Sequence, residues 1–415
     1  MRFARLLLLL VLAASGAAAQ PGRNLDALLA PEADPTPALS DSARVSLLTM
    51  LPGEEVYSAW GHSAFRIQDP ATGLDKTYNY GTFDFNQPGF VVRFLRGHLD
   101  YILDTAPFEN EVYKYQLFER PMIEQVLDVS PQTVRDLYAA LEENAKPENR
   151  AYRYDFVRDN CSTRLVDMLD LALAASGEAS SGVALAPPAP GPDGEPRTFR
   201  DMLNAYTEAS PWLHLGTNLG IGVPADEVPT PREATFLPLD LMRAFDDATV
   251  DGRPLVAARD TVFWVPPPPE ASFPWPLALA WALLAIALGA TLWMRRHLRS
   301  DRLRRWGARA DGVLFALAGL AGVVLLLMWF ASDHSVTEAN LELLWLWPTH
   351  LLAAFGLARL GLSGLWRGYA ALAAVATLAV VLLWWLWPEP MHAAGIPLAL
   401  LLAFRAGVRA FRPDL

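Results

Sequence analysis

Apolar residues recur with two different periods along the front of this chain, and toward its end they stop alternating and run on unbroken. The run "ARVSLLTM" (43–50) is β-prone, and "HSAFRIQD" and "KTYNYGTFDF" are strand-like runs joined by the turn formers of "PATGL". This pattern predicts one strand followed by a β-hairpin. In "SPQTVRDLYAALEENA" (130–145), Ser130 stands as a cap, Pro131 sits in the first turn, and Val134, Leu137 and Leu141 recur at helical spacing. A helix is therefore expected there. With Asn160 as cap, a second helix is expected to run to about Gly177 and bury Leu165, Met168 and Leu169. The Pro-, Gly-, Ala- and Ser-rich stretch 176–196 reads as a loop insertion, and a further helix as Thr198 to Ala209.

Five apolar segments follow, at about 275–294, 312–331, 341–360, 369–387 and 393–408, each near the length that crosses a bilayer. Seven arginines in "RRHLRSDRLRRWGAR" separate the first two, Arg359 and Arg367 lie between the third and fourth, and Arg405, Arg409 and Arg412 attend the last. The alternate loops, "SDHSVTEAN" and "PEPMH", contain no Lys or Arg. The positive-inside rule then puts the front domain outside and the C-terminus in the cytoplasm. The start agrees: in "MRFARLLLLLVLAASGAAAQ", two arginines, an apolar run and Ala17-Ala18-Ala19 read as a signal peptide over 1–19, cleaved before Gln20. The expected organisation is a signal peptide at 1–19, an extracytoplasmic domain at 20–270 and a membrane domain at 271–415.

Charge sharpens that division. Residues 271–415 hold 12 Arg and 7 acidic residues, which leaves 22 of the 34 basic and 38 of the 45 acidic residues in 1–270, a net −16. Nucleic acid is an unfavourable partner for such a domain. There is no Gly-rich phosphate loop, no His-x-His or His-Glu-x-x-His pattern and only one cysteine, so neither a cofactor nor a metal is expected.

The cysteine is Cys161, in "RYDFVRDNCSTRL". Exported proteins pair their cysteines, and an odd one is a reactive thiol, an intermolecular link or an inert buried hydrophobe. If Asn160 is the cap, Cys161 stands in the first helical turn, where free N–H groups and the helix dipole favour a thiolate. A lowered thiol pKa is therefore expected, together with a backbone oxyanion site. The soluble domain offers His62, His98 and His214 as bases. His62 is the best placed, since Gly61 brings it to a strand start, on one face with Ala64 and Arg66. The neighbouring strand supplies Asn79, or Tyr80 if the register slips by one, to orient the imidazole.

The motifs "SAWGHSAFRI", "YNYGTFDF", "FVVRFLRGHLDYIL", "PENRAYRYDFVRDNCSTRL" and "SDHSVTEANLELLWLWP", occurring in this order, resemble the Lnb-type family of bacterial lipoprotein N-acyltransferases. The resemblance covers roughly residues 45–240 and 332–350. It implies an α+β, papain-like, circularly permuted domain outside the inner membrane, followed by an α-helical membrane domain of about five transmembrane helices. It implies Cys161 as nucleophile and His62 as base, with Asn79 third by motif position. Asn160, Asp159, Tyr80 and His334 are the supporting groups. The implied reaction moves an acyl chain from the diacylglyceryl group of a lipoprotein to its N-terminal cysteine amine, giving a lyso-form, with lipoproteins and membrane lipid as partners. The alternatives are a cysteine peptidase or amidase acting on envelope peptides or peptidoglycan, and a non-catalytic scaffold that binds lipoproteins. The sequence does not specify an oligomeric state.

Overall fold

The computed structural model describes residues 38–84, 88–266, 273–296 and 301–412, so the expected signal peptide at 1–19 lies outside the described residues. The predicted strand and hairpin are present as β1 (Arg44–Met50), β2 (His62–Asp69) and β3 (Leu74–Thr82). Helix α1 (Phe90–Leu95) leads into β4 (Asp100–Pro107), and helix α2 (Phe108–Leu117) into β5 (Met122–Leu127). Helix α3 (Pro131–Ala145) starts where Ser130 accepts the Thr133 N–H, and the short β6 (Ala151–Arg153) precedes α4 (Thr163–Ser176). Three helices, α5 (Phe199–Thr207), α6 (Pro211–Gly220) and α7 (Pro238–Asp246), then lead through a small β7–β8 hairpin (249–250 and 253–254) to β9 (Val256–Phe263).

Seven strands form one antiparallel sheet in the order β6-β4-β3-β2-β1-β5-β9. Period-two alternation gives it two apolar faces. On one, Leu47, Phe65, Tyr78 and Tyr101 pack with Leu137, Leu141, Leu165 and Leu169 of α3 and α4. On the other, Leu48, Met50, Ala64 and Met122 pack with Tyr115 of α2. The face that carries His62 is thus a second core.

The register also fixes which strand ends lie together. Met50 pairs with His62 and with Met122, Met122 with Phe263, Thr82 with Ile102, and Asp100 with Arg153. This is also the end that meets the membrane region. Asp333 donates its N–H to Arg96 O (3.0 Å), and its carboxylate lies 2.8 Å from Arg153 and 3.2 Å from His98. Nearby, Ser335 donates to Asp155 and Asn340 to Leu219 O. The loop "SDHSVTEAN" is therefore a seam between the two parts of the chain.

Among the described residues, three helical stretches are long and apolar enough to cross a bilayer: Trp275–Arg296, Asp301–Phe330 and Gly364–Leu386. The expected third span, 341–360, is not one continuous helix. A 3-10 turn at Leu341–Leu344 is followed by Pro348, which lacks an amide donor, and only His350–Leu357 is α-helical. The last segment is a 17-residue helix, Gly395–Phe411. Gly319 and Gly322 let the Asp301–Phe330 helix approach residues 346–351, where a Cβ would fall 2.1 Å from Leu351 N and 2.0 Å from Leu346 O.

Beside the seam, Arg200 is 2 % exposed, paired with Asp226 (2.8 Å) and bonded to the carbonyls of Ile221 and Gly222. Removing one partner of a buried pair costs about 3–5 kcal/mol. Arg200→Met is expected to lower the melting temperature of the full chain in detergent by several degrees. Loss of the exposed Lys146–Glu143 contact in Lys146→Ala is expected to leave it nearly unchanged. Equal melting temperatures for the two variants would show that the buried pair does not anchor this region.

Candidate functional site

The start of β2 positions the first group. Gly61 has φ +84°, and a Cβ there would lie 2.8 Å from Met50 O, so glycine alone fits the turn that delivers His62 against β1. Asn79 lies two residues beyond Thr77, which pairs with Arg66, and so shares the His62 face, while Tyr80 points to the opposite core. His62 Nε2 and Asn79 Oδ1 are 3.3 Å apart. The Tyr80 hydroxyl instead donates to Asn144, which resolves the register in favour of Asn79.

The second group comes from the approach to α4. This helix begins at Thr163, so Cys161 precedes its first turn instead of occupying it. The reason is Asn160. Its Oδ1 accepts the N–H groups of Ser162 (2.8 Å) and Thr163 (3.1 Å), and its Nδ2 donates to Phe156 O (2.7 Å) and Phe236 O (2.9 Å). The buried side chain caps the helix from outside and locks the cysteine's backbone. The backbone of Ser63, Cys161 and Ser162 and the Ser162 side chain lie near the Cys161 sulphur and favour its ionised form, while the Ser162 hydroxyl donates to Ser63 Oγ (3.3 Å). Since Ser63 directly follows His62, the thiol and the imidazole lie at one strand end. Gly81, at φ +92° in the irregularity of β3 against β4, brings its backbone alongside, and a Cβ there would be 3.5 Å from Cys161 Cβ.

The electrostatics differ from the expected thiolate. Burial pushes the Cys161 thiol above its ordinary value and outweighs the surrounding donors. Burial, with the nearby charges of Lys114 and Arg120, holds His62 down to about 3 against the opposing pull of Asn79. Both groups are therefore neutral at rest, the imidazole an acceptor and the thiol protonated. Arg120 is 8 % exposed, with Nε donating to Leu51 O (3.0 Å) and its guanidinium 5.0 Å from the Tyr115 ring centre. Sequence reasoning missed Lys114, Arg120 and Ser63, because their relation to the site exists only across the sheet.

The remaining groups have other partners. Asp159 forms a bidentate pair with Arg164 (2.5 and 2.8 Å), and the Arg164 guanidinium stacks 3.7 Å over Tyr152. His334 Nε2 lies 2.7 Å from Phe94 O, so it docks the loop onto α1. His98 contacts Asp333, and His214 bonds Thr207 and packs on His392. Among the described residues no cluster of His, Cys, Asp or Glu is arranged to hold a metal ion.

Two family models match the chain: the Lnb N-terminal periplasmic domain over residues 38–203 and the Lnb transmembrane domain over residues 269–412. No curated protein and no solved structure matches it.

A resting neutral thiol makes a specific chemical prediction. Iodoacetamide labelling of Cys161, followed across pH in the folded protein, is expected to rise with a midpoint above the ordinary thiol value of about 8.5. It is expected to slow in His62→Ala, which lacks the acceptor. A plateau already reached near neutral pH would instead indicate a stored thiolate.

Proposed function

Because the chain belongs to the Lnb family, a membership that implies a membrane-associated lipoprotein-modifying enzyme, we propose that it is a cysteine acyltransferase at the outer face of the inner membrane. Its substrates are diacylglyceryl-modified lipoproteins, and its product is the lyso-form carrying one acyl chain on the N-terminal amine. One observation carries this reading. Cys161, His62 and Asn79 gather at the end of the sheet that is fastened to the membrane region, where an acyl ester anchored in lipid can be met.

The chemistry follows from the residues. With Nε2–H donating to Asn79 Oδ1, the Nδ1 lone pair of His62 is free to take the Cys161 proton as sulphur attacks the glycerol ester carbonyl. The backbone N–H groups of Ser63 and Cys161, near the sulphur, supply donors for the negative charge that develops on the carbonyl oxygen. Collapse breaks the bond to the glycerol oxygen, which leaves with the proton from His62, and a thioester remains on Cys161. The lipoprotein's amine then attacks the thioester. His62 takes the amine proton and returns it to the departing thiolate, so the amide forms with no net gain or loss of atoms. A neutral His62 suits both steps, because each begins with proton abstraction.

The order of His before Cys, with the cysteine at the start of a helix packed on the sheet, supports a permuted papain-like arrangement. The arginines of the 295–309 connection and of the C-terminal helix support a cytoplasmic C-terminus, with the five apolar segments crossing the membrane.

The test is mass spectrometry of a lipoprotein's N-terminal peptide from cells lacking other N-acylating enzymes and expressing either this chain or Cys161→Ser. The wild type is expected to move one acyl chain onto the amine at unchanged total mass, and the variant to lose this completely while keeping its melting temperature. A free amine in both would end the lipoprotein reading. Cleaved envelope peptides would then favour a peptidase, and unaltered ones a scaffold.

A further inference from the structure

Eleven large apolar side chains are exposed on the described part of residues 39–263, and most stand in segments at one end of the sheet. Val56 and Tyr57 (64 % and 57 % exposed) follow the end of β1, and Leu117 and Phe118 (68 % and 54 %) precede β5. Val92 and Phe94 (61 % and 48 %) lie on α1, between β3 and β4. All of these segments join strands at the end that carries His62, Thr82, Asp100 and Met122. In water this ring would leave a broad apolar surface uncovered, of the kind that marks a protein or membrane contact.

The seam identifies what covers it. Helix α1 is fastened at Arg96 O and Phe94 O to Asp333 and His334, and the transmembrane helix Asp301–Phe330 ends three residues before Asp333. Three residues of extended chain span at most about 10 Å. The polar layer of a bilayer is itself roughly 5–8 Å deep on each side of the hydrocarbon. Exposed Trp275 and Phe330 mark the same level at the ends of their spans, where aromatic rings sit in membrane proteins. Exposed Arg96, at the end of α1, is suited to lipid phosphates.

We propose that Val56, Tyr57, Val92, Phe94, Leu117 and Phe118 form a rim immersed in the outer leaflet around the Cys161 end of the sheet, through which an acyl chain reaches the thiol without leaving the lipid. Immersion itself requires only the membrane anchorage. The use of the rim as an acyl path rests on the acyltransferase reading above.

The chain's single cysteine makes the test direct. In a Cys161→Ser background, one cysteine is introduced at Val92, at Leu117 or at Ala71, which is exposed in the β2–β3 turn at the opposite end of the sheet. The full-length proteins are labelled with an environment-sensitive fluorophore and placed in phosphatidylglycerol–phosphatidylethanolamine vesicles, with or without lipids bearing a doxyl quencher high on the acyl chain. The Val92 and Leu117 labels are expected to shift to shorter wavelength and to lose more than half their emission to the quencher, while the Ala71 label is unaffected. If either rim label behaves like Ala71, the immersed rim is overturned. This readout is independent of turnover, so a failure of acyl transfer in the mass-spectrometric experiment leaves it intact, and the converse also holds.

Discussion

The arrangement rests on Asp333. Its backbone N–H and carboxylate are shared among Arg96, Arg153 and His98, three residues on or beside the strands at one end of the sheet. Individually such half-exposed contacts are weak. Their effect here is geometric: they fix which end of the sheet meets the membrane region, and the antiparallel register then carries His62 and Gly81 to that end. A domain held only by the linker before Trp275 would keep the same fold but lose this orientation.

Burial governs the chemistry of the site in the same way. A thiol and an imidazole enclosed by protein are each driven to the neutral form, because isolated charge is poorly solvated there. The lysine and arginine beside His62 oppose a stored imidazolium still further. An imidazole in this state is a proton acceptor at neutral pH and not a donor of stored charge. The backbone around Cys161 is held in place by Asn160, whose Oδ1 accepts the N–H groups of Ser162 and Thr163 and whose Nδ2 donates to the carbonyls of Phe156 and Phe236.

Local patterns made much of this legible in the sequence. Period-two runs and "PATGL" located β1 to β3, Ser130 and Pro131 marked the start of α3, and a lone cysteine in polar company after an export signal drew attention to Cys161. The pairing of Asn79 with His62 was legible only up to a one-residue slip, and the register settled it. What could not be read was what depends on distant contact. Asn160 reads as a cap from the sequence, yet the bond from its side chain to Phe236 O, which helps to hold Cys161 ahead of the helix, joins residues 76 positions apart. The thiol pKa was misjudged for the same reason, because helix position is local and burial is not. Composition likewise runs the 341–360 segment into one span, where the 3-10 turn at Leu341–Leu344 and Pro348 interrupt it.

The lone thiol itself follows from the enclosure. An oxidising compartment threatens an exposed thiolate, which is the form that exchanges with disulfides and is oxidised. A half-buried thiol with a raised pKa, walled by Gly81 and Tyr152 and by the start of α4, is mostly protonated and poorly reached from water. A chain with no second cysteine cannot trap the first in an intramolecular disulfide. The protection thus has a single origin, since burial both keeps the thiol protonated and limits its contact with water.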